Sequence, residues 1–312
     1  MKFVKNLGAK VYTAIALSVI GLLIWRIIDT KFIYHPPQFQ SVLLLPEEKL
    51  PVWEASDSAT LTESQATLSA QLSAQAYLVM EVNSRTVLVE KNALVPLPPA
   101  STTKLMTALT ALDLFELNEI VEVSTQAAQE NNGGGLFPHE QLTVRDLLIG
   151  LLVSSANDAA YALAEHAAGG TDTFMVRMNQ LARELQLNQT LYQNPTGYDD
   201  PPNVTTARDL AVLSLQVLED PQLVEWLGLQ QAVVYNTAGN IRHFLFTTNE
   251  LLGKNPLIIA GKTGTTDLAG EVLISVVKYQ GRLILIIVIG STDRYADTQI
   301  LLNWLQYNLA WQ

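Results

Sequence analysis

Two apolar runs near the C-terminal end, residues 272–279 and 283–290, constrain the fold more than any other feature of the chain. They are apolar almost without interruption, and strands read that way when both faces of their sheet are covered. A third strand is expected just before them, at 257–263, and another at 231–235. A hairpin-like pair, 76–82 and 86–90, lies far upstream, turning at Asn83-Ser84-Arg85. Between the early and late strands the pattern is helical. Helices are expected from Ser101 to about Phe115 and over 147–153, 158–168, 172–185 and 207–218. A helical block set between two groups of strands predicts one sheet assembled from both ends of a domain. Residues 297–309 supply a closing helix, with Ile300, Leu301, Trp304, Leu305 and Leu309 on one stripe. The fold class expected is mixed α+β.

Within the helical block, Thr143-Val144-Arg145-Asp146 reads as a capped helix start. Residues 120–142 are polar and irregular, with Gly133-Gly134-Gly135 inside, and read as a flexible loop. No Gly-Lys-Ser/Thr follows those glycines, so they are no phosphate cradle.

The first 31 residues differ in character from the rest. Lys2, Lys5 and Lys10 precede a segment, 11–28, that is apolar except for Thr13, Ser18 and Arg26. At about 1.5 Å per residue it nearly spans a bilayer core of roughly 30 Å, with Arg26 near enough to its end to snorkel. The basic flank predicts a cytoplasmic N-terminus and an extracytoplasmic remainder. Residues 1–28 are read as a cytoplasmic tip and signal anchor of a single-pass membrane protein. A cleaved signal peptide is the competing reading, but no small-x-small site follows. Residues 29–74, with His35-Pro36-Pro37, Pro46-Glu47-Glu48 and a Ser/Thr-rich run, are read as a stalk whose last residues, 71–74, begin a helix. Residues 75–312 are read as the main folded domain, with a helical lobe at about 116–227.

Net charge is −11, and residues 1–31 contribute +4, which leaves −15 for the remainder. Such an acidic body excludes nucleic acid as a partner, because phosphates need a basic face. The chain has no cysteine, so thiol catalysis and cysteine-bound zinc are excluded. His35, His139, His166 and His243 have no ligand spacing, so neither a metal nor another cofactor is expected.

Ser101-Thr102-Thr103-Lys104 carries the strongest chemical signal. It follows Pro98-Pro99-Ala100 and opens a helix-period apolar pattern, so Ser101 is placed at a helix N-terminus. Residues three apart share a helix face, which lets Ser101 and Lys104 touch. A serine hydroxyl is a weak nucleophile until a base takes its proton, and a lysine with a lowered pKa can be that base. The helix start adds backbone N–H groups suited to a developing anion. Two further motifs follow in order: Ser155-Ala156-Asn157 at a helix junction and Lys262-Thr263-Gly264 at the end of a strand. Each is common alone; the ordered triple is specific to penicillin-recognising serine acyl-transferases.

On these motifs the chain resembles the low-molecular-mass penicillin-binding proteins, the D-alanyl-D-alanine carboxypeptidases of the S11 peptidase type. The resemblance runs from about Gln75 to Trp311. It extends to Pro99–Lys104, Leu152–Ala159, Asn194–Gly197, Thr248–Leu252 and Gly261–Thr266. It implies a β-lactamase/transpeptidase-like fold: an antiparallel sheet flanked by helices, plus an all-helical lobe, with the site between them. The substrate implied is the D-Ala-D-Ala end of a peptidoglycan stem peptide, with β-lactams as inhibitors. Ser101 is then the nucleophile and Lys104 its base, kept partly neutral by the charge of Lys262. Ser155 relays a proton between Lys104 and the leaving group. Asn157 orients Lys104 and the substrate amide. Lys262 and Thr263 bind the terminal carboxylate, Gly264 leaves room for the substrate backbone, and the N–H groups of Ser101 and Thr265 form an oxyanion hole. Asn194-Pro195-Thr196-Gly197 is read as a structural loop. Ala156 stands where relatives often have Gly. The chain closes at its last helix, without the extra C-terminal β-domain of many relatives, so the N-terminal anchor is expected to take over the membrane role. An endopeptidase acting on peptidoglycan crosslinks shares the same chemistry, and a β-lactam sensor that is acylated without turnover is the non-enzymatic alternative. A β-lactamase fits less well, because no convincing Glu-x-x-x-Asn block follows Asn157.

Overall fold

The computed structural model describes residues 63–308. The signal anchor and most of the stalk read from sequence therefore lie outside the described residues. Among the described residues, no helix is long and apolar enough to cross a membrane.

The main sheet has five strands, all antiparallel: β1 (Ala76–Glu81), β2 (Val87–Lys91), β7 (Ile258–Thr266), β8 (Gly270–Tyr279) and β9 (Arg282–Ser291), in the order β2-β1-β9-β8-β7. The expected assembly from both chain ends is realised in the pairing of β1 with β9. The apolar runs have the expected cause. Ile284, Ile286 and Val288 of β9 face one core with Tyr77 and Val79, while Leu285, Ile287 and Ile289 face the other with Leu78 and Met80. Successive side chains of a strand alternate in direction, so two covered faces leave no polar position.

The first face is covered by α1 (Glu63–Gln71) and α8 (Arg294–Asn308), whose Leu68, Leu301, Leu302 and Leu305 are buried there. Removing each leucine from water contributes about 1.5–3 kcal/mol. This corrects two sequence boundaries. Helix α1 occupies residues read as stalk and ends at Gln71, where the sequence points to a helix start; it is hidden because its composition is rich in Ser and Thr and barely amphipathic. Helix α8 begins three residues earlier than expected, because Asp293 Oδ1 accepts from Tyr295 N (3.1 Å) and Ala296 N (2.9 Å) and caps it.

The second face carries the helical block: α2 (Thr103–Leu114), α3 (Val144–Val153), α4 (Asn157–His166), α5 (Gly170–Glu184), α6 (Ala207–Leu218) and α7 (Pro221–Leu227). Thr143 caps α3 as its sequence predicts, its Oγ1 accepting from Asp146 N at 3.1 Å and donating to Asp146 Oδ2 at 2.6 Å. Two small hairpins, β3 (Ile120–Glu122) with β4 (Gln141–Thr143) and β5 (Gln231–Tyr235) with β6 (Arg242–Phe246), flank the block. The triple-glycine stretch is not a free loop. Asp158 Oδ1 accepts from Gly134 N (2.7 Å) and Oδ2 from Leu136 N (3.0 Å), which pins it to the start of α4.

Candidate active site

Ser101 lies in a 3-10 turn, Ala100–Thr102, that runs directly into α2. Two close approaches hold this turn. Gly197, at φ +87°, leaves only 1.8 Å between a would-be Cβ and the Ala100 carbonyl oxygen, so no side chain fits there. Gly264 of β7 would set a Cβ 2.9 Å from the Ser101 nitrogen, so the strand passes directly over the nucleophile's amide. Ala100 (φ +47°) and Ser155 (φ +60°) both adopt left-handed backbone, the kind of strain that surrounding structure sustains at functional sites.

The three motifs meet in one cleft. Lys104 is fully buried; its Nζ donates to Ser101 Oγ at 3.0 Å and to the Thr196 carbonyl at 2.8 Å. Burial pushes the Lys104 pKa well below the usual lysine value; the charge of Lys262 adds to that, and Asp158 opposes it. The repulsion expected from Lys262 is thus present but second to desolvation. Lys262, also buried, donates from Nζ to Ser155 Oγ at 2.7 Å and to the Thr263 carbonyl at 3.0 Å. Burial, aided by Arg294, lowers its pKa to about 7.

Two expected contacts take a different form. Ser155 sits on Lys262, and Asn157 does not hold Lys104. Asn157 Nδ2 instead donates to the Asn131 carbonyl and to Tyr198 Oη, both at 2.7 Å, and the Tyr198 hydroxyl donates to the same Asn131 carbonyl at 2.9 Å. The partner that positions Lys104 is the backbone of the Asn194–Gly197 loop, which was read as structural only. Its Asn194 side chain organises the turn by accepting from Thr196 Oγ1 (3.0 Å), Gly197 N (2.7 Å) and Tyr198 N (3.1 Å).

The strand wall carries Lys262, Thr263, Gly264 and Thr265 on β7, which lies at the edge of the sheet. Thr263 Oγ1 hydrogen-bonds Thr248 Oγ1. Arg294 was not singled out in the sequence. Its Nη1 donates to the Gly264 carbonyl (2.9 Å) and to Thr265 Oγ1 (2.6 Å), which adds a second cation to this wall. Among the described residues, no cluster of His, Cys, Asp and Glu could hold a metal.

Two serine–lysine pairs thus lie between an edge strand and a helical block, the arrangement that the three sequence motifs lead one to expect. The comparisons with known proteins are more particular. The chain belongs to the D-alanyl-D-alanine carboxypeptidase family, peptidase S11, whose model matches residues 60–293. It is similar to the D-alanyl-D-alanine carboxypeptidase DacF of Bacillus subtilis, with 30% identity over 234 residues, 73% of this chain and 60% of DacF. A D-alanyl-D-alanine endopeptidase of Pseudomonas aeruginosa is 32% identical over 246 residues, 77% of this chain and 79% of that protein. The crystal structure of a D-alanyl-D-alanine carboxypeptidase from Mycobacterium tuberculosis matches with a TM-score of 0.70 at 32% identity, over 77% of this chain and 92% of that one. The chain thus spans 60% of the length of DacF, but most of the tuberculosis protein.

Proposed function

We propose that the chain is a serine-type D-Ala-D-Ala carboxypeptidase that trims peptidoglycan stem peptides through a Ser101 acyl-enzyme. The observation that carries this is the Ser101 hydroxyl, 3.0 Å from the amine of a buried lysine whose pKa is lowered. Neutral Lys104 takes the hydroxyl proton as Ser101 Oγ attacks the carbonyl carbon of the penultimate D-alanine. The N–H groups of Ser101 and Thr265 hold the oxyanion; one such donor is typically worth about 3–4 kcal/mol. The C–N bond then breaks, and the proton reaches the leaving nitrogen by way of the Ser155 hydroxyl. Free D-alanine departs, and water hydrolyses the Ser101 ester. Lys262, Thr263 and Arg294 hold the terminal carboxylate, and Gly264, expected to make room for the substrate backbone, instead lets β7 close on the Ser101 turn. The unpaired edge of β7 takes the extended peptide as an added strand. Asn157, held by Asn131 and Tyr198, faces the substrate amide. β-Lactams acylate the same serine and block it.

Residues 11–28 anchor the chain in the cytoplasmic membrane, with the catalytic domain on the extracytoplasmic side. That places the domain where peptidoglycan is found. The domain of this reading reaches back to Glu63, because α1 packs into its core.

The test uses the full-length protein in detergent with a diacetyl-L-lysyl-D-alanyl-D-alanine peptide. D-alanine release and stable labelling by a fluorescent penicillin are expected, and Ser101→Ala should abolish both. Retention of either removes Ser101 as the nucleophile. Labelling without release identifies a sensor. Faster cleavage of a crosslinked muropeptide dimer identifies an endopeptidase, the activity in the name of the Pseudomonas relative. A reporter fused after Gln312 should be active only outside the cytoplasm, and cytoplasmic activity overturns the topology.

A further inference from the structure

Behind the strand wall, one side chain ties together two groups assigned to the carboxylate without reaching the nucleophile's pair. The Tyr295 hydroxyl donates to the Thr248 carbonyl at 2.9 Å and accepts from Glu250 N at 3.3 Å. Thr248 in turn hydrogen-bonds the Thr263 hydroxyl. The Tyr295 ring lies under the Arg294 guanidinium, with 4.9 Å from the ring centroid to Cζ. We propose that Tyr295 is a positioning residue that holds the Thr263 hydroxyl and the Arg294 guanidinium as matched donors for the terminal carboxylate of the substrate. This rests on the carboxypeptidase reading above.

The argument is one of freedom removed. A threonine hydroxyl rotates to suit its neighbours, so its direction is set by what Thr248 offers it. Thr248 lies on the segment after β6, and Tyr295 clamps that segment through both its carbonyl and the Glu250 amide. Arginine carries several rotatable bonds, and a flat guanidinium over an aromatic face gives up much of that freedom. Arg294 Nε is buried and finds no hydrogen-bond partner; Glu271 Oε2 is 3.9 Å away. It is Nη1 that carries the guanidinium to the strand wall, at the Gly264 carbonyl and Thr265 Oγ1. The tyrosine itself stands on a fixed base, because Asp293 caps the helix start and Asp297 Oδ2 accepts from both Ser291 Oγ (2.6 Å) and Ser73 Oγ (2.8 Å).

The experiment compares acylation of the full-length protein by a penicillin with acylation by its methyl ester, in which the carboxylate is masked. Three proteins are used: wild type, Tyr295→Phe and Tyr295→Leu. The phenylalanine keeps the ring beneath Arg294 and loses the clamp on Thr248; the leucine loses both. Wild type should prefer the acid. That preference should fall roughly ten-fold in Tyr295→Leu and less in Tyr295→Phe, the size expected when a charge-assisted contact is loosened. Ester acylation and its pH profile should not move, and for the peptide the loss should appear in KM before kcat. Equal losses for acid and ester, with a lowered Tm, overturn the proposal in favour of a purely structural tyrosine. Unchanged preference in both variants overturns it as well. A wild-type protein that no penicillin acylates removes the carboxypeptidase reading and this proposal with it, an outcome distinct from the other two.

Discussion

The two walls of the cleft each bury a lysine, but they are built differently. On the helical wall, Lys104 is set by helix spacing to Ser101 and by a backbone carbonyl from Thr196. On the strand wall, Lys262 has a serine, its neighbour's carbonyl and a second cation, Arg294, beside it. Both pKa values are lowered, chiefly by burial. The consequences are opposite. A lysine that loses its charge becomes a base, whereas a lysine meant to grip a carboxylate is useful while charged. The Arg294 guanidinium lies at the Gly264 carbonyl and Thr265 Oγ1, so Lys262 is not the sole cation of the strand wall. One wall is thus suited to moving a proton and the other to holding an anion.

The largest effect that separates the walls is expected at Lys104. Replacing it by Met should lower acylation by roughly a thousand-fold or more, for penicillin acid and ester alike, because the base is lost whatever the ligand's charge. A rate that survives this change returns the proton transfer to another group. The next effect is selective. Lys262→Met should lower acylation by the acid roughly ten- to a hundred-fold and leave the ester much closer to wild type. Equal losses would make Lys262 part of the proton path, through Ser155, rather than an anion anchor.

The pH profile sharpens the same contrast. The neutral form of Lys104 dominates above its lowered folded pKa, so kcat/KM should rise with pH through that value and then level. Lys262 loses its proton as pH rises through about 7, so capture of an anionic ligand should decline above neutrality. The decline is partial because of Arg294, and it should be missing for the ester. A falling limb shared by acid and ester would break the assignment of the two walls. The smallest effect lies in the support of the helical wall. Thr143→Ala removes the cap of α3, the helix that leads to Ser155, and should cost about 1 kcal/mol of stability in denaturant titration. Acylation should be unchanged, and a matching loss of acylation would tie the Ser155 turn to that helix more tightly than its packing shows.

Legibility followed how local each cause is. Ser101 and Lys104 could be paired from sequence because helix geometry fixes residues three apart. The Thr143 cap was readable for the same reason. Strands β8 and β9 announced themselves because two covered faces demand apolar side chains throughout. Strand β6 was missed although His243 and Leu245 alternate inward between exposed neighbours. Its run is short and carries a charged residue at its start. Thr196 was missed because a backbone carbonyl acts there, and a carbonyl leaves no mark in residue identity. Arg294 is hidden because the sequence pattern points to a helix start at Asp297, while the actual start is set by Asp293.

The mixed class, the strand pattern of the sheet and the contact between Ser101 and Lys104 are legible in the chain alone, since all of these rest on local spacing and composition. Which partner each side chain takes is settled by folding. It set Ser155 on Lys262, Lys104 on Thr196, and Arg294 over Gly264 and Thr265. Those contacts join segments far apart in the chain, and the depth of burial that lowers both lysine pKa values exists only once the sheet and the helical block close on each other.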